Sequence, residues 1–526
     1  MTQKVLESIS VKKIILLLLI IVTNGWPNKQ FDQISRQIEI QNQQLKSGAS
    51  SPNKKINIDS LNIEPKSQIF DFKNGLKPKK IQVMNNTLLT SAEIHYLVLP
   101  YINKLITNQT LMELIQAIQL EYIKRGYLTT RVIIDAKKTT HDQLILQTIE
   151  GKIRRIYSKQ NNWQDKVKIW QLFPIKTNSI ASTNELRIGI QNVNRLDSME
   201  IKTRFEPGFN IGESNLYTEI NQKDSPWSFY SSFTQPNAMK PIPSFLQITG
   251  DNLLGIFDQW KLSYSHLITN YTNHNSSSVE LNIPIRRHLF NFKVENVQNN
   301  IYTNTFSANT EVNDTKNIKY SINDEFTLLN TERVKLKITP SLQIKKNKSL
   351  YSGVEITSQT SQQTLAGIQI QQHIPHILNL KSAVSFEKTM PWWNSQKDPV
   401  KINNDAVHYE FEKWHGSFQI SQSYKLPLVE NVGSLINLQF QKLNQITQPS
   451  EHGILGGWHS VKGFQAIPLF GENMIRLSIE KMLPLSQYKL PHSILDLNIQ
   501  LRWHLDIGYL YRPYGVNITT INHSFA

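Results

Sequence analysis

Leu497-Asn-Ile-Gln-Leu-Arg-Trp-His-Leu-Asp-Ile-Gly508 is the stretch that decides the fold. Every odd-numbered residue from Leu497 to Tyr509 is apolar, whereas the even-numbered positions carry Asn, Gln, Arg, His, Asp and Gly. Successive side chains of a β-strand point to opposite faces, so this alternation predicts one long strand with an apolar face and a polar face. Such a strand is typical of a β-barrel that crosses a membrane, in which the apolar face contacts lipid.

The same alternation recurs through the C-terminal part of the chain. It is present over residues 290–295, 407–412, 436–441 and 475–480. One strand of this kind also fits a soluble β-sandwich, but the repetition of the pattern favours a membrane barrel. We therefore predict a transmembrane antiparallel β-barrel over residues 224–526.

The N-terminus carries a short aliphatic run. Lys12 and Lys13 precede residues 14–22, which are all Ile, Leu or Val. This run is too short to span a bilayer and has the length of a signal-peptide core, so residues 1–25 are predicted to be a signal peptide; an uncleaved anchor is the alternative. No other segment is apolar over the length of a spanning helix. Because only helices and closed barrels satisfy every backbone group in lipid, this favours the barrel.

The composition excludes several classes of function. The chain has a formal net charge of +16, but its lysines and arginines are scattered and no nucleic-acid-binding motif is present, so we expect no nucleic-acid partner. It has no cysteine, which excludes disulfides and thiolate chemistry. No nucleophile, metal-ligand or phosphate-loop motif is found. We therefore expect no enzymatic activity, no cofactor and no metal site.

Two small α+β units are predicted before the barrel. Residues 26–66 are expected to form an exposed helix over residues 30–44 and a linker. Residues 67–151 and 152–223 each give the order strand, helix, helix, strand, strand. Three capping boxes are predicted to begin helices in these units, namely Thr90-x-x-Glu93, Thr110-x-x-Glu113 and Ser182-x-x-Glu185. The repeated order indicates a modular pair rather than a single catalytic domain.

Four short motifs occur in a fixed order along the chain. They are Gly126-Tyr-Leu-Thr-Thr-Arg131, Asn192-Val-Asn-Arg-Leu196, Gly457-Trp-His-Ser-Val-Lys-Gly-Phe464 and Leu505-Asp-Ile-Gly508. With these motifs the chain resembles the outer-membrane transporters of two-partner (type V) secretion, the haemolysin and filamentous haemagglutinin secretion-activation family. The first two motifs resemble those of the family's polypeptide-transport-associated (POTRA) domains, and the last two resemble its barrel signatures.

The resemblance implies an α+β POTRA tandem in the periplasm followed by a barrel in the outer membrane of a Gram-negative bacterium. Residues 67–151 and 152–223 correspond to the first and second POTRA domains, and the helix within residues 26–66 to a plug helix. The family's POTRA domains capture an unfolded partner and the barrel conducts it outward. The implied partners are a large secreted β-helical protein, of the haemolysin, adhesin or contact-inhibition type, and outer-membrane lipid.

The resemblance also implies the functional residues. Gly126, Tyr127 and Arg131 form the POTRA signature. Val461, Lys462, Gly463 and Phe464 belong to a loop that folds into the barrel, and Asp506 and Gly508 lie on the strand that meets it. Because a buried carboxylate needs a partner, we expect Lys462 to pair with Asp506; two unrelated surface charges are the alternative. The family usually has arginine at position 462, and lysine lacks its planar bidentate fork, so this latch should be looser.

The C-terminus departs from the family pattern. After the Asp506 strand the sequence leaves room for at most one short strand, whereas relatives have more. An unpaired strand exposes backbone groups to lipid, so either the barrel closes with fewer strands or the chain is a truncated, inactive copy. Two other functions therefore stay open beside export of a partner: a barrel-assembly factor of the same superfamily, and a passive pore or inactive relic.

Overall fold

The computed structural model describes residues 75–158, 162–232, 244–268, 272–304, 310–331, 333–351, 354–356, 360–375, 379–403, 405–426, 429–455, 469–484, 500–511 and 518–525. The predicted signal peptide and the predicted plug helix and linker lie outside these residues. The latch residues Val461, Lys462, Gly463 and Phe464 also lie outside them.

The first α+β unit is a three-stranded sheet covered by two helices. Its elements are β1 (Lys80–Met84), α1 (Ser91–Val98), a 3-10 turn (Leu99–Tyr101), α2 (Asn108–Lys124), β2 (Arg131–Ile134) and β3 (Gln143–Ile149). The sheet order is β1-β3-β2, with β1 parallel and β2 antiparallel to β3. Leu114, Ile118 and Tyr122 of α2 are fully buried in the core that this helix shares with the sheet. The predicted order of elements is confirmed.

The second unit repeats this order with one addition. Its elements are β4 (Lys152–Ser158), α3 (Trp163–Leu172), β5 (Ser179–Ile180), α4 (Thr183–Asn194), β6 (Met199–Pro207) and β7 (Glu213–Gln222). The sheet order is β5-β4-β7-β6. The short strand β5 pairs with the start of β4 and was not predicted. Leu172, Val193 and Leu216 form the centre of a separate apolar core.

The three predicted capping boxes have different outcomes. Thr90 and Glu93 form a complete box at the start of α1, and the hydrogen bonds from Thr90 hold the pKa of Glu93 below its usual value. The prediction at Thr110 is wrong, because α2 begins one turn earlier and Thr110 itself completes a box with the N-cap residue Thr107. Ser182 is the N-cap of α4, but its side chain makes no capping hydrogen bond.

The rest of the described chain forms one large antiparallel sheet. Its strands are β8 (Trp227–Ser232), β9 (Ser244–Asp251), β10 (Gln259–Ile268), β11 (Thr272–Ile285), β12 (His288–Asn304), β13 (Thr310–Asn330), β14 (Lys335–Tyr351), β15 (Val354–Glu355), β16 (Ser361–Ile374), β17 (Leu380–Met390), β18 (Glu412–Leu426), β19 (Val429–Leu443), β22 (Asn473–Pro484), β23 (Gln500–Tyr511) and β24 (Ile518–Phe525). A 3-10 turn (Pro449–Glu451) and a hairpin of β20 (Gly453–Leu455) and β21 (Leu469–Gly471) lie between β19 and β22. Neighbours along the chain pair in the sheet, and β15 only extends the edge of β14.

Strand β23 has the two faces that its alternation predicts. His504, Asp506 and Gly508 are buried, whereas Leu501 and Tyr509 on the opposite face are exposed. The same division holds for β12 and β22, where Phe292 and Ile475 are exposed. We call the exposed apolar side of the sheet its outward face and the opposite side its inward face.

One predicted strand is wrong. Residues 407–411 lie outside the strands, and β18 begins only at Glu412. The backbone there is held by other contacts, since the His408 ring lies 2.7 Å from Asp398 Oδ2 and Tyr409 N donates to Asp398 Oδ1. A single half-buried carboxylate thus orders this loop, which period-two alternation alone could not reveal.

The large sheet has β8 as one edge strand and β24 as the other. Within the described residues no ladder joins these two strands. Strand β24 pairs with β23 over eight residues, from Trp503–Phe525 to Leu510–Ile518, so the predicted short strand after Asp506 is confirmed. Among the described helices, none is both long and apolar enough to cross a membrane.

The capping difference between α1 and α4 yields a prediction. Thr90→Ala should destabilise α1 by about 1 kcal/mol, because it removes a complete capping box. Hydrogen–deuterium exchange of the α1 amides in the whole protein measures this loss. Ser182→Ala is the matched control, since its hydroxyl makes no capping bond, and exchange in α4 should stay unchanged. Equal acceleration of exchange in both helices would contradict the assignment.

Candidate functional site

Asp506 lies on the inward face of the sheet, where the sequence places it. Its side chain is almost fully buried, with 1% of the residue exposed. It lies opposite Ser478 of β22, and the next inward pair along these strands is Glu480 with His504, whose side chains lie 3.6 Å apart. Buried charges need compensation, and these neighbours form a charged patch on the inner wall.

Arg476 is a functional candidate that the sequence reasoning missed. It lies on the inward face of β22 opposite Gly508, and it interacts electrostatically with Asp506. The sequence alone could have indicated Arg476, because it falls on the polar face of the predicted strand over residues 475–480. The expected partner of Asp506, Lys462, lies outside the described residues. Asp506 therefore has at least one cationic neighbour on the wall itself.

A second charged site lies where the chain leaves β19. Glu451, at the end of the 3-10 turn, is 2% exposed. Its two carboxylate oxygens accept hydrogen bonds from Lys345 Nζ at 2.8 and 3.0 Å, and one of them also accepts from Lys413 Nζ at 2.8 Å. Lys345 is on β14 and Lys413 is on β18, both on the inward face. The loop after β19 therefore folds onto the inner wall instead of extending away from the sheet.

The wall strand β17 completes this charged site. Glu387 Oε2 lies 3.4 Å from Lys413 Nζ, and Glu387 Oε1 lies 3.5 Å from the His415 ring. We call Lys345, Glu387, Lys413, His415 and Glu451 the lumen charge cluster. Its two lysines face two carboxylates, so the formal charges of the cluster sum to zero when the histidine is neutral. Balance of this kind is what makes burial of several charges tolerable.

Neutral hydrogen bonds fix the same loop along its length. Asn347 Nδ2 donates to Ser450 Oγ at 3.1 Å, and Ser361 Oγ donates to Gln448 Oε1 at 2.6 Å. On the other side, Gln441 Nε2 donates to the backbone oxygen of Glu451 at 2.8 Å. The entry of the loop is thus held by strands β14, β16 and β19 at once.

The hairpin that follows brings the loop to the Asp506 strand. Leu455 of β20 is fully buried and packs with Leu510 of β23 in a small apolar cluster. The second strand of the hairpin, β21, also approaches Leu510 closely, because a Cβ on its residue Gly471 would lie 2.4 Å from Leu510 Cδ2. Residues 456–468, which include Lys462, connect these two arms. Leu510 is four residues from Asp506 on the same strand, about 13 Å, so both ends of the connection lie near the predicted partner.

The POTRA signature residues lie at the connection between the two α+β units. Gly126 follows α2 with a left-handed φ of +91°, and a Cβ there would lie 2.3 Å from Thr183 Oγ1 of α4. Its backbone oxygen accepts a hydrogen bond from Thr183 N at 2.8 Å. Tyr127 packs against the first core, and burial lowers the pKa of Arg131, which donates to the backbone oxygen of Leu128. Glycine is therefore required where the two units touch.

The second unit is hydrogen-bonded directly to one end of the large sheet. Gln171 Nε2 donates to the backbone oxygens of Ile256 and Pro284, at 2.6 and 2.9 Å. Asn192 Nδ2 donates to the backbone oxygen of Arg286 at 2.9 Å. These three acceptors lie at the turns β9–β10 and β11–β12. A third turn, β13–β14, begins at Asn330, whose backbone N donates to Asn184 Oδ1 at 2.8 Å and whose Nδ2 donates to Gln191 Oε1 at 2.7 Å, both on α4.

Arg195 lies in the junction between the second unit and the large sheet, and its contacts show that this junction is closely packed. Its guanidinium donates to the backbone oxygen of Phe257 at 2.6 Å. Burial lowers its pKa to about 10, against the opposing effect of Asp251 and other acidic neighbours. Arg287 adds an ion pair with Glu185 of α4, 3.0 Å long. We call this end of the sheet the junction end and the opposite end the far end.

Comparison with known proteins establishes the family. The model of the haemolysin secretion/activation proteins ShlB/FhaC/HecB matches residues 212–517, more than half of the chain. The model of the ShlB-type POTRA domain matches residues 76–151. The chain therefore belongs to the haemolysin secretion/activation protein family, and the resemblance seen in its motifs is confirmed.

Individual relatives agree with this assignment. The outer membrane transporter CdiB of Dickeya dadantii (strain 3937) is 24% identical over 403 residues, which cover 74% of this chain and 68% of the relative. CdiB of Escherichia coli O6:K15:H31 (strain 536 / UPEC) is 22% identical over 410 residues, covering 75% and 66%. The hemolysin transporter protein HpmB of Proteus mirabilis is 23% identical over 402 residues, covering 69% and 67%.

Solved structures show the same fold. CdiB from Escherichia coli matches with a TM-score of 0.70 at 18% identity, covering 94% of this chain and 90% of that one. CdiB from Acinetobacter baumannii matches with a TM-score of 0.61 at 16% identity, covering 94% and 91%. The fold is thus a POTRA domain followed by a large antiparallel sheet like that of the CdiB barrel. The inward face of the sheet corresponds to the lumen of that barrel.

The lumen charge cluster yields the second prediction. Glu451→Gln leaves two lysines without their shared carboxylate, and breaking a buried pair costs about 3–5 kcal/mol. We expect the loop after β19 to detach from the wall and become accessible to protease added from outside. Glu355→Gln is the matched control, because Glu355 pairs with Lys348 at 2.9 Å in an exposed position and such pairs contribute about 0–1 kcal/mol. Equal protease resistance of both variants would contradict the assignment.

Proposed function

We propose that this chain exports a large secreted protein across the outer membrane by two-partner secretion. The observation that carries the proposal is the connection between a capture module and a polar lumen. The second α+β unit is hydrogen-bonded to three turns on one side of the sheet, β9–β10, β11–β12 and β13–β14, and the inward face beyond those turns is lined by charged and amide side chains. An unfolded polypeptide bound by the units would thus reach the mouth of a hydrophilic passage.

The orientation follows from the same junction. We propose that residues 67–151 and 152–223 are two POTRA domains in the periplasm and that residues 224–526 are the barrel. The junction end would then face the periplasm and the far end the cell exterior. The lumen charge cluster is reached from β19 at the far end, so the loop would enter the barrel from outside.

Each of the two small sheets has edge strands available for capture of an extended segment, and β2 and β6 are two of them. In the described residues β2 pairs only with β3, and β6 pairs only with β7. An added strand on either edge would gain backbone hydrogen bonds without requiring a particular sequence. Exposed apolar side chains of α1 and of the 3-10 turn after it, Tyr96 and Leu99, would add contacts to an unfolded, partly apolar partner. We propose that this partner folds as a β-helix after export, which would draw it outward without a nucleotide or other cofactor.

We further propose that Lys462 pairs with Asp506 and holds the tip of the loop in the lumen. Support comes from the two arms of the hairpin, which lie against Leu510 on the Asp506 strand. Val461, Gly463 and Phe464 would complete the inserted segment, and Gly508 would face it from the Asp506 strand. Since Arg476 also lies near Asp506, the carboxylate would serve as a shared anion for wall and loop. The proposal includes no catalytic step and no metal.

Export of the partner tests this function directly. The chain is expressed with a candidate partner, a large secreted protein with a predicted β-helical fold, and the partner is assayed in the medium. We expect export by the natural chain and a loss of roughly tenfold or more for Asp506→Asn, because the substitution leaves the nearby cations without their shared anion, at a cost of several kcal/mol. Glu410→Gln is the control, because this carboxylate is exposed outside the strands at the far end.

The other functions predict different results. Membrane insertion is checked first by heat-modifiable mobility on a denaturing gel, since a closed barrel resists detergent until boiled. A barrel-assembly factor would instead change the amounts of other barrel proteins when it is removed, with the partner's export unaffected. A passive pore would be inserted and conduct ions but export nothing. A chain that is heat-modifiable and still fails to export its partner would overturn the proposal.

A further inference from the structure

Two adjacent tryptophans form an exposed pair at the far end of the sheet. Trp392 and Trp393 follow the last residues of β17, with their ring centroids 6.0 Å apart at an angle of 73°. They are 43% and 56% exposed. Tryptophan is costly to leave in water, and exposed indoles on a membrane protein mark the level where lipid headgroups begin.

The chain folds back at this point onto the outward face of β16. Thr364 and Gln362 occupy outward positions of β16, in line with the exposed Ile368 and Ile370. Thr364 Oγ1 donates to the backbone oxygen of Trp392 at 2.9 Å, and Gln362 Nε2 donates to the backbone oxygen of Trp393. Thr364 is fully buried beneath this turn although it belongs to the lipid-facing side. The indoles therefore extend the outward face rather than the loops around the lumen.

The backbone of the turn is strained and closely held. Trp393 has a left-handed φ of 51°, which a bulky residue adopts only when its surroundings impose it. Asn394 follows with a φ of 58°, in a region that asparagine tolerates. Beyond the turn, Gln396 N donates to the backbone oxygen of Gln362 at 2.8 Å, and Thr364 N donates to Ser395 Oγ at 3.1 Å. The turn thus returns to β16 and holds both indoles in place.

Positive charge lies at the same level of the outward face. Lys346 of β14 is directly opposite Gln362 in the β14–β16 register, and it is exposed on the same side. The next outward lysine, Lys348, is already paired with Glu355 at 2.9 Å. Two indoles above an apolar strand face and beside an exposed ammonium group match an amphiphile with acyl chains and an anionic headgroup.

We propose that Trp392, Trp393 and Lys346 form a binding site for an anionic, phosphate-bearing lipid of the outer leaflet. The acyl chains would lie along Ile368 and Ile370, the indoles would cover the glycerol or sugar level, and Lys346 would contact the phosphate. The site continues the lipid-facing surface of the sheet, which is why a lipid rather than a protein is assigned as its occupant. It is independent of the exported partner.

Fluorescence quenching tests the placement of the indoles. The whole protein is reconstituted into vesicles of phosphatidylcholine brominated near the headgroup. The emission of the two indoles is obtained as the difference between the natural chain and the double variant Trp392→Phe/Trp393→Phe. We expect the brominated lipid to quench this difference strongly. The matched control is Trp163→Phe, at the start of α3 of the second unit and 72% exposed, whose lost emission should not be quenched. If the emission of the far-end pair is quenched by acrylamide in water and not by brominated lipid, the proposal is overturned.

The charge requirement is tested with lipid A as the probe. Detergent-solubilised protein is mixed with lipid A, and bound lipid is counted by native mass spectrometry. Lys346→Gln should weaken retention about fivefold, the effect of about 1 kcal/mol for one lysine at an anionic surface. Lys348→Gln should have little effect, because that lysine is paired with Glu355. Equal retention by the natural chain, both lysine variants and the double tryptophan variant would show non-specific detergent-like binding and would overturn the site.

Discussion

A carboxylate that is removed from water must be accompanied by positive charge, and Glu451 determines the arrangement of the lumen for this reason. Its cations belong to β14 and β18, which are separated in the sheet by β16 and β17. The loop after β19 can satisfy Glu451 only by crossing the inner wall. Once it has crossed, the hairpin arms reach Leu510 on β23. The path of the inserted loop, and the position of its tip near Asp506, both depend on this one buried anion.

The junction at the other end of the sheet has a different character. It consists mainly of amide and guanidinium groups that donate to backbone oxygens of the turns, as Gln171, Asn192 and Arg195 do. Such directional bonds fix orientation more strictly than an apolar contact of the same size would. Gly126 adds a comparably close contact between the two α+β units. The capture module and the sheet are therefore linked by defined contacts rather than by a linker alone, which suits delivery of a polypeptide to the lumen.

Much of this architecture could be predicted from the alternation of apolar and polar residues and from short motifs. Particular residues show why other features could not be predicted. Alternation placed Asp506 and Arg476 on the inward face, because a strand's period of two is fixed by its geometry. The same rule failed over residues 407–411, where the half-buried Asp398 holds an irregular loop. Glu451 could not be found, since its importance comes from lysines 106 and 38 residues away in the chain. The box at Thr107 was missed because threonine, rather than glutamate, completes it.

The most direct test of this account is a disulfide between the loop and the wall. The chain has no cysteine, so Asn347→Cys with Ser450→Cys introduces a pair without background at side chains that are 3.1 Å apart. The account predicts rapid, high-yield formation of the disulfide in outer membranes under mild oxidation. The pair Asn347→Cys with Glu410→Cys should remain reduced. If the first pair also stays reduced and both of its cysteines react with a membrane-impermeant maleimide from outside, the loop does not lie on the inner wall and the account is contradicted.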